Sequence, residues 1–290
     1  MQFPEINYPF PIKTISLPNN ILISYWEEGE GSETLLFIHG LASYLLAWSR
    51  NIPFLRKHFR CIAIDLPGYG KSNAGVHNGK MSFYANAISS FLIELGIKKS
   101  NIVGHSMGGQ IALNFSIFHP EQINKLILAA PAGLETFTEK EIGWIKRNYT
   151  IGLLTSQTEE QIRSNYSNNF YEMPDTTEKM IQDKLLITGS SNFYDHCQVI
   201  INSLYDMIEN PIFDKLNLIE SPTLLTFGRN DQLIPHPVLH KNLSTVEIAQ
   251  NGFKKFKNAE LLFIDESGHF IQFEKPEEFN SAILAFFGMS

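Results

Sequence analysis

Hydrophobic and polar positions along this chain fall into two kinds of run. The apolar stretches Thr34 to Ile38, Arg60 to Ile64, Asn101 to Val103, Lys125 to Ala129, Pro222 to Phe227 and Glu260 to Ile264 predict strands buried on both faces. Between them Trp48 to Lys57, Ser82 to Leu95, Met107 to Phe118 and Pro276 to Phe287 repeat their apolar residues at helical spacing, with Ser82 as a cap. Lys13 to Leu17 and Ile21 to Trp26, separated by Pro18-Asn19-Asn20, predict an opening antiparallel hairpin. Strand and helix alternate, which predicts an α/β fold with a mostly parallel sheet of roughly eight strands and helices on both faces.

The alternation breaks at Pro131. Glu139 to Asn148, Glu159 to Asn168, Thr177 to Ile187 and Asp195 to Ile208 read as helices, capped at Thr138, Thr158 and Asn192, and no buried strand follows until Pro222. Residues 133–215 are therefore expected to form a helical cap inserted into a core made of residues 1–132 and 216–290.

Composition narrows the functional classes. With 23 basic against 30 acidic residues the formal charge is -7, which argues against a nucleic-acid partner. The compact basic run Lys254-Lys255-Phe256-Lys257 reads as the solvated end of a helix. Cys61 and Cys197 have no ligand spacing, so neither a structural zinc nor a disulfide framework is expected. Met1 to Pro18 lacks the pattern of a signal peptide, which gives a cytoplasmic expectation, and no apolar run reaches the roughly 18 residues of a membrane span.

The chemistry gathers at the ends of predicted strands. Gly104-His105-Ser106-Met107-Gly108 carries Gly-x-Ser-x-Gly between a strand and a helix, a turn that strains the serine backbone and aims its hydroxyl outward. Side chains at Gly104 and Gly108 would collide there. A serine hydroxyl needs a base and an orienting carboxylate, and His269 and Asp231 each follow a predicted strand. Asp265 and Glu266 could stand in as the acid but share the histidine's own loop. The Met107 N–H, at the start of a helix, and the Leu41 N–H, beside Gly40, are the expected oxyanion donors. His39 is expected to hydrogen-bond the rim loops, Asp65 to order its own loop, and the His105 side chain to point away from that of Ser106. No metal or organic cofactor is needed for this chemistry.

His39-Gly40, Asp65-Leu66-Pro67-Gly68-Tyr69-Gly70-Lys71-Ser72, Gly104 to Gly109, Gly228-Arg229-Asn230-Asp231 and Gly268-His269 resemble, in order and over nearly the whole chain, the motifs of the α/β-hydrolase fold superfamily with a helical cap. The resemblance implies a serine hydrolase with Ser106, Asp231 and His269 as its triad. Ser106 separates it from branches with an aspartate at this turn. Ala129 to Leu134 is similar to carbon–carbon bond hydrolases of ring-cleavage pathways, which usually carry a Ser-Gly-Pro-Gly loop after His-Gly and a tryptophan after the histidine. Here those places hold Leu41 to Tyr44 and Phe270. The cap aromatics, among them Phe137, Tyr149 and Phe170, imply a small or medium apolar ester as substrate. Carbon–carbon or thioester cleavage is the alternative, and a non-enzymatic ligand receptor is the rival of another class.

Overall fold

The computed structural model describes residue 3 and residues 5–289. The expectation for Met1 to Pro18 and the outer ends of the predicted core thus reach beyond the described residues. Eight strands, β1 (Lys13–Leu17), β2 (Ile21–Glu28), β3 (Thr34–Ile38), β4 (Arg60–Ile64), β5 (Ser100–His105), β6 (Ile123–Ala129), β7 (Thr223–Gly228) and β8 (Ala259–Ile264), form one sheet in the order β1-β2-β4-β3-β5-β6-β7-β8. The β1–β2 and β2–β4 pairs are antiparallel and the remaining pairs parallel. The strand order reverses between β3 and β5, where Ile38 lies opposite Gly104. Crevices at such reversals are where open α/β sheets bind ligands.

Eleven α-helices are found among the described residues: α1 (Ile52–Leu55), α2 (Met81–Glu94), α3 (Met107–Phe118), α4 (Glu139–Asn148), α5 (Ile151–Thr155), α6 (Glu159–Ser167), α7 (Glu178–Thr188), α8 (Phe193–Glu209), α9 (Thr245–Phe253), α10 (Ile271–Glu274) and α11 (Pro276–Phe286). Alternate residues of each central strand enter opposite cores. Leu36 and Ile38 pack with Ile88 and Phe91 of α2 and Ile111 of α3, whereas Leu35 and Phe37 join Trp48, Ile52, Phe279 and Ile283. Cutting Trp48 or Phe37 back to alanine should remove about 3 to 5 kcal/mol, because such sites collapse only partly.

Three local expectations change. The helix over Trp48 to Lys57 is a 3-10 turn, Leu45–Trp48, followed by the single turn of α1, whose early Pro53 has no N–H to continue a preceding helix. Helix α2 begins one residue before Ser82, and its first N–H, at Met81, is capped by Asp206 Oδ2 of α8 at 2.7 Å. Helices α5, α9 and α10 are short or half-buried and were not legible as periodic runs. From β6 to β7 the described residues hold five α-helices and no strand. Thr138 and Thr158 cap α4 and α6 through reciprocal bonds with Glu141 and Gln161, while Asn192 makes no side-chain cap bond.

Candidate active site

Ser106 joins β5 to α3 with φ 53° and ψ -117°. Such a backbone at a non-glycine residue costs roughly 1–3 kcal/mol and persists only where its surroundings enforce it. Here the Ser106 N–H donates to the Ala129 carbonyl, and the Ser106 carbonyl accepts from the N–H groups of Gly109, Gln110 and Ala132. A Cβ on Gly104 would lie 2.5 Å from the Gly108 oxygen, and one on Gly108 would lie 2.3 Å from the Ile38 oxygen. Both positions need glycine because backbone passes directly over them.

Strands β7 and β8 are neighbours, so the loops that follow them lie side by side, tied by Asn230 N–H to the Ser267 carbonyl at 2.9 Å. His269 Nδ1 donates to Asp231 Oδ2 at 2.8 Å. The other carboxylate oxygen accepts from the Leu233 and Ile234 N–H groups at 2.8 and 3.0 Å. An ionised carboxylate only accepts, so this bond places the imidazole proton on Nδ1 and leaves Nε2 free to take a proton. Asp265 instead pairs with Arg229 at an exposed site, and Glu266 is exposed.

The rim loops are drawn together by buried groups. His39 Nδ1 donates to the Gly40 carbonyl at 2.8 Å while Nε2 accepts from Leu66 N–H at 3.0 Å, linking the loops after β3 and β4. Burial pushes the His39 imidazole down to about 4, so it is neutral. Asp65 accepts from the Leu45 and Lys71 N–H groups and from the Tyr8 hydroxyl. Its burial raises the carboxyl to about 6, and those three donors offset part of the rise. A Cβ on Gly40 would sit 3.2 Å from Ser106 Cβ, so the loop holding Leu41 runs against the serine. Among the described residues no acceptor engages the N–H of Leu41 or of Met107.

His105 is packed against the loop that carries His269. Its ring packs 5.0 Å from that of His269 and edge-on to Phe270, and its Nε2 donates to the His269 carbonyl at 3.1 Å. These contacts buttress the histidine loop. Burial, then the neighbouring His269, holds its imidazole well below the usual range.

A sequence model of the α/β-hydrolase fold matches residues 33–276. The chain belongs to the α/β-hydrolase fold family. It is 31% identical over 280 residues to a 2-hydroxy-6-oxo-6-phenylhexa-2,4-dienoate hydrolase from Comamonas testosteroni, covering 92% of each chain. It is 30% identical over 278 residues to a 2-hydroxy-6-oxononadienedioate/2-hydroxy-6-oxononatrienedioate hydrolase from Paraburkholderia phymatum, covering 92% of this chain and 91% of that one. Among solved structures, a probable hydrolytic enzyme from Pseudomonas aeruginosa PAO1 superposes with a TM-score of 0.87 at 23% identity, over 97% of this chain and 95% of that one. The protein is an enzyme, a hydrolase. No helix among the described residues is long and apolar enough to cross a membrane.

Between this α/β-hydrolase sheet and helices α4 to α8 lies a cavity of about 420 Å³, onto which both Ser106 and His269 open. Phe137, Tyr149 and Phe170 line it, whereas Tyr171 and Tyr194 are exposed and Phe193 joins the core. Gln110, Glu135, Lys184 and His236 are among the polar side chains on its wall that had no sequence signal. Gln110 Nε2 donates to the Met207 carbonyl of α8 at 3.1 Å. Glu135 accepts from His236 N–H and pairs with His240 at 2.5 Å. Lys184 lies over the Phe193 ring, 5.5 Å from its centre, and no carboxylate among the described residues pairs with it. Burial lowers its ammonium from the ordinary value.

Proposed function

We propose that this hydrolase cleaves a small or medium acyl substrate through a covalent intermediate on Ser106. The observation that carries the reading is the 2.8 Å bond from His269 Nδ1 to a buried Asp231, on loops that share one cavity with the strained Ser106. In the first step Ser106 Oγ bonds to the substrate carbonyl carbon as its proton passes to His269 Nε2. The carbonyl oxygen takes the electron pair and is held by the Leu41 and Met107 N–H groups. Collapse of this adduct breaks the bond to the leaving group, which departs with the proton from His269. Water then repeats the sequence, releasing the acid and Ser106. Helices α4 to α8 act as the cap that shields the adduct from bulk water. The Ser106 carbon–oxygen chemistry calls for no metal or organic cofactor.

An apolar carboxylic ester is the first substrate class, because aromatic and aliphatic side chains dominate the cavity wall. A second reading, cleavage of a carbon–carbon bond in a dienoic keto acid, is favoured by the names of both relatives and by Lys184. An unpaired lysine on an apolar wall suits a substrate that carries a carboxylate. The test is a panel of p-nitrophenyl esters of increasing chain length set beside a 2-hydroxy-6-oxo-dienoate. Preference for the dienoate by orders of magnitude selects carbon–carbon cleavage. Turnover that survives Ser106→Ala, or labelling by a fluorophosphonate at a different serine, refutes the assigned nucleophile.

A further inference from the structure

Residues 40–45 run along the serine, and two buried carboxylates grip their far end. Asp65, from the loop after β4, accepts from the Leu45 N–H at 2.9 Å. Asp183, from α7 in the helical segment, accepts from the Tyr44 hydroxyl at 2.6 Å. Tyr44 is 3% exposed and Asp183 1% exposed, so water does not compete for this bond. Lys179, one turn earlier on α7, donates to Asp183 at 2.6 Å. The intervening loop is bent: Ala42 has φ 55°, and the Ser43 N–H closes on the Gly40 carbonyl at 3.3 Å.

We infer that the Tyr44–Asp183 hydrogen bond positions the oxyanion loop, so that helix α7 sets where the Leu41 N–H points. A non-glycine residue on the left-handed side relaxes unless both flanks are held. Gly40 is held by His39, and Leu45 by Asp65. Tyr44 is the remaining tie, and it reaches out of the α/β sheet altogether. The next residue along α7, Lys184, lines the cavity. One helical step therefore presents a cation to the cavity and a carboxylate to the loop. Tyr44 and Asp183 are positioning residues: they touch neither the serine nor the substrate, and act through the Leu41 backbone. Because an oxyanion donor works only when aimed at the tetrahedral oxygen, a loosened loop weakens transition-state binding and leaves ground-state binding intact.

The inference rests on the reading of Ser106 as nucleophile and Leu41 as oxyanion donor, and the experiment separates the two. Tyr44→Phe keeps the ring and removes the hydroxyl, and Asp183 stays paired with Lys179. Tyr44→Phe, Asp183→Leu and the double variant are compared with wild type by ester turnover, by inhibition with a boronic acid that forms a tetrahedral serine adduct, and by inhibition with the product carboxylic acid. Folding is followed by thermal unfolding. The expected result is a loss of kcat/KM of roughly tenfold or more, a fraction of the 10²–10³ that follows removal of a whole donor. Boronate affinity should fall by the same factor, product-acid affinity should stay within twofold, and the double variant should match the worse single one. A folded Tyr44→Phe protein with wild-type kcat/KM and boronate affinity overturns the inference, as does equal weakening of boronate and product acid. Ser106→Ala run in parallel tests the underlying reading: turnover that survives it defeats the serine mechanism whatever Tyr44→Phe does.

Discussion

At the scale of single residues, burial decides which histidines and lysines can change charge. The unfolded chain protonates His39 near pH 6.5, whereas the folded protein holds it neutral until about 4. Its contribution to stability is therefore complete above pH 6.5 and declines as pH falls toward 4, by an amount on the order of 3 kcal/mol. Urea unfolding of His39→Gln and wild type at pH 7.5 and 5 should show the smaller pH-dependent drop in the variant. Equal drops would mean that His39 titrates normally in the fold. Lys184 is the complementary case, a half-buried cation without a carboxylate partner among the described residues. Lys184→Met should raise KM for carboxylate-bearing substrates tenfold or more, as expected for a lost charge-assisted bond of about 1.5–3 kcal/mol, while kcat/KM for neutral esters stays near wild type. A uniform change across both substrate sets would remove Lys184 from recognition. Stability should hold or rise, since a desolvated charge is removed.

At the scale of elements, helix ends show how far local rules reach. Thr138 and Thr158 cap α4 and α6 as their sequence pattern predicts, because a capping box is complete within four residues. Helix α2 does not use the nearby Ser82; Asp206, far along the chain on α8, takes the Met81 N–H instead. Asp206→Ala should accordingly lower unfolding free energy by about 1 kcal/mol in urea, and Ser82→Ala should change it by a few tenths at most. The reverse ranking would return the cap to Ser82. The same bond ties the helical segment to a helix of the sheet layer, as does Gln110 to Met207, while His196 ties it to the loop after β4 at Gly68.

At the scale of the whole molecule, protection against solvent should follow burial. β3, β5 and β7 are buried along almost their whole length, whereas α4 and α6 each bury one residue, Ile145 and Ile162, and α5 none. Amide hydrogen exchange in 139–167 should outpace exchange in those strands by orders of magnitude, reporting local opening rather than global unfolding. Equal protection would show that the helical segment opens only with the sheet. By itself the sequence determined the parallel sheet, the helical stretch after β6 and the α/β-hydrolase family. Each of these is written in short-range signals: buried apolar runs, helical periodicity, and glycines where backbone crosses backbone. The candidates Ser106, Asp231 and His269 were legible for the same reason, as post-strand loops in one order, and the tertiary structure added the bond between Asp231 and His269. What only the tertiary structure decided is whatever depends on partners far apart in the chain. His105 turns toward the histidine loop because His269 and Phe270 pack there, and Lys184 faces the cavity although a lysine on a helix ordinarily faces water. Tyr44 and Asp183 are 139 positions apart, and no local pattern in either stretch marks them as a pair. Elements are specified by neighbours a few residues away, but a cavity wall is specified by which faces of those elements meet, and that is a property of the packed chain.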